Sequence, residues 1–119
     1  MSTILVNATH GPDDPERATL AFIVGNVAAT ADQDAVVLLT IDGAWLGVRG
    51  RADSIEHPGM PVLREVIAQF TAAGGRIWVC GACAKPRGIA QEDLIDGASI
   101  ATAAQAIELL AAGAGSLTF

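Results

Sequence analysis

The sequence predicts an α/β domain of three layers, helices on either side of a mostly parallel sheet of about five strands. Three observations carry that expectation. Short β-rich runs alternate with helical stretches along the whole chain. One run, Ala35-Val36-Val37-Leu38-Leu39-Thr40-Ile41, is apolar almost throughout, as a parallel strand buried on both faces must be. With 119 residues, 51% of them apolar and 17% charged, the chain can bury one sizeable core and is not disordered. Residues 1–119 therefore read as a single domain.

The elements follow in order. Thr3 to Thr9 is a β-rich run closed by the turn signal His10-Gly11-Pro12. Asp13-Asp14-Pro15-Glu16 then supplies a cap, a proline suited to the first helical turn and a carboxylate for the dipole. The helix it opens runs to about Ala29. Ala18, Ala21, Phe22, Gly25, Ala28 and Ala29 form one stripe, while Leu20, Ile23, Val24 and Val27 occupy other faces. Such a helix must be covered on more than one side, and a second subunit is the expected second cover. After the central strand, Asp42 to Pro58 lacks any period and carries Trp45, Arg49, Arg51 and His57. Long aperiodic segments in small domains are often functional.

A helix near Pro61 to Ala73 follows, its apolar face formed by Val62, Leu63, Val66, Ile67 and Phe70, and Gly74-Gly75 ends it. Arg76-Ile77-Trp78-Val79 is the third strand, with Cys80 at its end. Gln91 to Ile95 forms one helical turn at most, and Ala98-Ser99-Ile100 a short strand. Thr102 and Gln105 have capping-box spacing for a helix to Ala112, with Ala103, Ala106, Ile107 and Leu110 facing inward. Ser116 to Phe119 closes the sheet.

Composition narrows the function. Seven Lys and Arg against 13 Asp and Glu make the chain acidic, at −6, which argues against a nucleic-acid binder. No apolar run reaches the ~18 residues of a membrane span, and Met1-Ser2-Thr3 lacks the basic start of a secretory signal. A cytoplasmic setting without membrane attachment is expected. In open α/β sheets, chemistry gathers beyond the carboxyl ends of the strands, here the loops that begin at His10, Asp42 and Cys80. Arg49, Arg51, Lys85 and Arg87 fall on those loops, four of the seven cations, so the edge is expected to be electropositive.

The two cysteines are too few for a disulfide scaffold, and their placement matters more than their number. Cys80-Gly81-Ala82-Cys83-Ala84-Lys85-Pro86-Arg87-Gly88 joins a Cys-x-x-Cys pair to two cations. Nearby cations and free amides favour a thiolate. Gly81 and Gly88 let the backbone curl so that amides face sulfur. Three uses are open: a thioredoxin-like dithiol, a zinc site completed by His10 and His57, or a sulfur acceptor with a persulfide on Cys80. Lys85-Pro86-Arg87-Gly88 stands where a thioredoxin motif needs its helix, and the histidine spacing matches no standard finger. An inert buried pair is the fourth alternative.

At this loop the chain resembles the DsrE/DsrF-like family, and within it the YchN-like proteins above all. The resemblance rests on Cys80-x-x-Cys83 with Arg87-Gly88-Ile89, on Leu94-Ile95-Asp96-Gly97, on the closing Leu117-Thr118-Phe119, and on the opening strand at Ile4 with its loop His10-Gly11-Pro12. It implies an α/β/α domain with a five-stranded parallel sheet, assembled as a homo- or hetero-oligomer such as a trimer or hexamer. It also implies a sulfur relay without cofactor or metal: sulfane sulfur is accepted on one cysteine and handed on. The family's acceptor precedes a basic-Gly pair at the spacing that Cys80 has to Arg87-Gly88, so the acceptor role passes to Cys80. Relay members often lack a second cysteine, and Cys83 is a departure from them.

The expected partners are a persulfide donor and a sulfur-accepting protein or small thiol. Lys85 and Arg87 would stabilise the anionic persulfide, Trp45 or His57 would shield it, and His10 would face the cysteines from its strand end. Cys83 would resolve the persulfide or shield it. No acid–base triad is needed, so a carrier of sulfurtransferase type describes it better than an enzyme. The competing class is an oligomeric binding module for small molecules or proteins with a redox-sensitive cysteine pair and no sulfur transfer.

Overall fold

The structure is a computed structural model and describes residues 2–119. Five strands form one sheet in the order β4-β3-β2-β1-β5. They are β1 (Thr3–Ala8), β2 (Asp34–Leu39), β3 (Arg76–Cys80), β4 (Ala98–Ala101) and β5 (Gly115–Thr118). Every pairing is parallel. The predicted fold class is the observed one. β2 lies at the centre, and Ala35, Val36, Val37 and Leu39 are buried, as its apolar run requires.

Helix α1 (Pro15–Thr30) and helix α2 (Leu63–Ala72) cover one face. Asp14 caps α1 by accepting from the Arg17 amide at 3.1 Å, and Pro15 opens its first turn. Phe22 of α1 and Phe70 of α2 meet edge to face, 5.8 Å between centroids, over Val6, Val37 and Ile77 of the sheet. The second cover of α1 is therefore α2 of the same chain, and a second subunit is not required there. Val27 alone of its large apolar residues stays exposed.

The chain steps from β1 through β2 and β3 to β4 in one direction, then returns across the sheet to β5. A right-handed return must run over the opposite face, and α4 (Ala103–Ala111) lies there. The Thr102–Gln105 capping box forms as expected, with the Thr102 amide donating to Gln105 Oε1 at 2.8 Å. The inward face of α4 is not the expected one. Leu109 packs against Leu5, Val36, Trp78 and Ala101, whereas Leu110 is exposed and Ile107 is 63% exposed. Nine residues rise about 13 Å, less than five strands about 4.8 Å apart span, so a single short helix leaves part of this face open.

The long segment after β2 is not a free loop. Ile41 leaves the strand at a φ of 55° and starts a 3-10 helix, Ile41–Gly47, in which Gly43, Ala44, Leu46 and Gly47 are buried. Val48 then bridges antiparallel to Leu94. Gly43 is needed for close approach, because a Cβ there would stand 2.1 Å from the Ala8 carbonyl oxygen.

Candidate functional site

The connection leaving β3 at Cys80 packs Cys83, Ala84 and Ile89 on the α1–α2 face, and the one leaving the neighbouring β4 crosses the opposite face. Adjacent connections that diverge leave a crevice beyond the strand ends. Cys80 caps a four-residue helix, α3 (Gly81–Ala84), that contains Cys83. A 3-10 turn, Lys85–Arg87, continues it until Gly88 stops it with a φ of 69°, in the left-handed region that suits glycine. Gly81, by contrast, lies inside a helical turn and leaves ordinary van der Waals room for a Cβ.

Side chains alternate across a strand, and this separates the two thiols. Ile77 and Val79 point to the α1–α2 core, while Trp78 packs with Leu5 and Val36 on the α4 face. Cys80 shares the face of Trp78. It lines an apolar cleft of about 210 Å³ with Leu38, Thr40, Ala101, Ala106 and Ile107. Cys83 instead packs against the α1–α2 core. Both cysteines are free and half-buried. Burial, aided by the hydrogen bond with the Cys80 sulfur and by that neighbour's charge, pushes the Cys83 thiol up. The Ile41 amide and the Arg87 guanidinium offset only part of the rise.

Arg87 holds this turn to the end of β2. One guanidinium nitrogen donates to the Cys83 carbonyl at 3.1 Å, and the other reaches Asp42 Oδ1 at 3.0 Å. Its charge is thus met by a carboxylate. The other predicted cations are engaged elsewhere or stand in solvent. Arg49 donates to the Glu92 carbonyl, and Arg51 lies 4.2 Å over the Trp45 ring. Lys85 is exposed. Arg87 is thus the predicted cation that contacts the cysteine turn, and its charge is compensated by Asp42.

The remaining predicted residues form local pairs. His10 Nδ1 lies 2.7 Å from Asp13 Oδ2, and the Gly11 amide donates to the same carboxylate. Burial raises the Asp13 carboxyl, yet those hydrogen bonds and the His10 charge outweigh it and hold it below its ordinary value. His57 Nε2 stands 3.8 Å from Glu16 and lines a separate hollow of about 350 Å³ with Glu56, Pro58 and Met60. Trp45 packs against the main core. The structure does not assemble His10 and His57 with the cysteines. Among the described residues, no group of three or more His, Cys, Asp or Glu could hold a metal ion. A hollow of about 260 Å³ between Val48, Arg64 and Ile95 contains neither cysteine nor histidine.

Three participants went unread in the sequence: Asp42 as the partner of Arg87, Ile41 with its left-handed backbone, and the wall of the cleft. Only the cleft had a signal, since the two-residue spacing of Trp78 and Cys80 puts both on one face.

Fold and site together define a three-layer α/β domain that presents a thiol at the carboxyl end of an inner parallel strand, with a second thiol one turn behind it. Residues 2–119 match the DsrE/DsrF-like family, and the chain belongs to that family. It is 30% identical over 103 residues to the protein MK0008 of Methanopyrus kandleri, covering 86% of this chain and 81% of that one. To MJ0760 of Methanocaldococcus jannaschii it is 32% identical over 99 residues, 83% of this chain but only 36% of that longer protein. The crystal structure of the YchN protein of E. coli superposes with a TM-score of 0.82 at 24% identity, over the whole of both chains. MTH1491 of Methanobacterium thermoautotrophicum gives 0.72 at 15%, again over both whole chains. These two likenesses concern the fold. Among the described residues, no helix is long and apolar enough to cross a membrane.

Proposed function

We propose that this chain is a persulfide carrier that takes sulfane sulfur on Cys80 and delivers it to the thiol of a partner protein or small molecule. The observation that supports this most is the division between the thiols: Cys80 opens on a cleft, and Cys83 is held behind it against the core. In the loading step the Cys80 thiolate attacks the outer sulfur of a donor R–S–SH. The Sγ–S bond forms, the inner S–S bond breaks, and R–S⁻ leaves with the electron pair. No net oxidation occurs. In delivery an acceptor thiolate attacks the same outer sulfur, and Cys80 leaves as thiolate.

Cys83 competes with delivery. Its thiolate can attack Cys80 Sγ, expel HS⁻ and leave a Cys80–Cys83 disulfide. Thiol exchange needs the thiolate, and the raised Cys83 thiol supplies little of it near neutral pH, so a persulfide on Cys80 is spared. Arg87 and Gly88 serve this reading by setting the shape of the turn. Self-association as a trimer or hexamer is part of the proposal, supported by the exposed Val27, Leu110 and Leu117. A monomer in sedimentation at working concentration would remove that part.

The test is mass spectrometry after incubation with a persulfide donor. One extra sulfur on Cys80 is expected in the wild type and in Cys83→Ser, and none in Cys80→Ser. Absence of added sulfur from both Cys80-containing proteins leaves a binding module with a redox-sensitive pair.

A further inference from the structure

We infer that the cleft beside Cys80 is a binding site for the apolar, uncharged group of a small-molecule hydropersulfide. This inference rests on the carrier reading and names its donor class. Apart from Cys80, the walls are Leu38, Thr40, Ala101 to Ala103, Ala106 and Ile107, with no ionisable side chain among them. Each strand contributes the residue that alternation assigns to this face. Cys80 pairs in register with Ala101, Leu38 with Trp78, and Thr40 follows Leu38 by two. The Thr40 hydroxyl is already committed, donating to Asn7 Oδ1 at 2.8 Å.

Size and charge set the occupant. About 210 Å³ lies below the usual range for drug-sized ligands, so the guest is a short alkyl or single-ring group rather than a peptide. A donor that carries carboxylates would meet no cation in the walls. Arg87 is tied to Asp42 and to the Cys83 carbonyl, and the chain as a whole is acidic. With the apolar group seated, the outer sulfur of R–S–SH faces Cys80. Sulfur transfer then proceeds with the electron balance given above, and the apolar thiolate R–S⁻ leaves through the open side.

A chain-length series tests the site without relying on sulfur transfer. Cys83→Ser protein, with its fold checked by circular dichroism, is alkylated at Cys80 with N-ethyl-, N-propyl- and N-pentylmaleimide. A fully buried methylene favours the transition state by up to about fourfold. In this half-open cleft the pentyl reagent is expected to react at least about tenfold faster than the ethyl one. Ala106→Glu, which places a carboxylate at the wall, should bring the series to within about twofold. Ile107→Ala, which removes part of the apolar wall, should lower the gain at least about twofold and serves as the test if the Ala106 variant fails to fold. A flat series in the Cys83→Ser protein overturns the site.

Sulfur loading is then compared between benzyl hydropersulfide and glutathione hydropersulfide. The benzyl donor should load Cys80 at least about tenfold faster. Equal rates, or loading only from a protein-borne persulfide, overturn the donor class while the carrier reading stands. A rising maleimide series with no loading from any donor overturns the carrier reading and leaves an apolar site.

Discussion

Replacing Arg87 by Met probes whether this residue is a free cation near the thiols or a tie between β3 and β2. The side chain is 22% exposed and its partner Asp42 is 43% exposed, so the pair is partly screened. Two unit charges 3.0 Å apart attract by about 5 kcal/mol at an effective dielectric of 20, and by little more than 1 kcal/mol in bulk water. With Asp42 this open to solvent, a coupling of about 1 kcal/mol is the working value. Arg87→Met also removes the hydrogen bond to the Cys83 carbonyl, worth about another 1 kcal/mol. The expected losses are therefore about 2 kcal/mol for Arg87→Met, about 1 kcal/mol for Asp42→Asn and about 2 kcal/mol for both together. For a domain of this size the largest corresponds to a fall in Tm of roughly 8 °C. Urea denaturation followed by circular dichroism, with unchanged m-values, measures all four corners of the cycle. If the two single losses add to within about 0.3 kcal/mol, Arg87 is not tied to Asp42, and the compensated-cation account of the site is wrong.

Gly43→Ala forces a Cβ onto the Ala8 carbonyl and should destabilise by about 2–3 kcal/mol; an urea midpoint equal to wild type would show that the β1–β2 strand ends are looser than described. Ile41→Asn should instead stabilise by about 0.5–1 kcal/mol. Asparagine accepts the left-handed backbone, and an Ile side chain 53% exposed buries little there; a loss of stability refutes it. The raised Cys83 thiol means that the folded state holds its proton more tightly than the unfolded state does. That contribution is present below the ordinary thiol value and is lost as pH climbs from there toward the raised value. The stability difference between wild type and Cys83→Ala should accordingly shrink from neutral to alkaline pH in parallel denaturant titrations, and a constant difference contradicts the shift.

Features decided within a few residues were legible in advance. The apolar run of β2, the Asp14 and Thr102 caps and the placement of Cys80 at a strand end all depend on local pattern, and the sheet follows from their alternation. Features decided by distant packing were not. Asp42 and Arg87 lie 45 positions apart, so composition counts both as free charges. Ile41 continues the apolar pattern of β2, yet the approach of Gly43 to the Ala8 carbonyl turns the chain before it. The many-sided apolarity of α1 shows that a second cover is needed but not that α2 supplies it. In α4, the run Ile107, Leu109, Leu110 allows more than one rotation, and contact with Trp78 and Val36 selects Leu109. How far the Trp78 face would stay open depended on the length of one helix against the width of the sheet.

That unequal cover divides the molecule into a face that keeps it folded and a face that is free to change. The aromatic and aliphatic packing under α1 and α2 carries most of the burial, and substitutions there are paid in stability. No residue of α4 is fully buried, so Ala103, Ala106 and Ile107 can be exchanged beside Cys80 at small thermodynamic cost. A lineage built on this scaffold can alter which molecules reach its thiol by varying one short helix, leaving the strand that ends at Cys80 untouched.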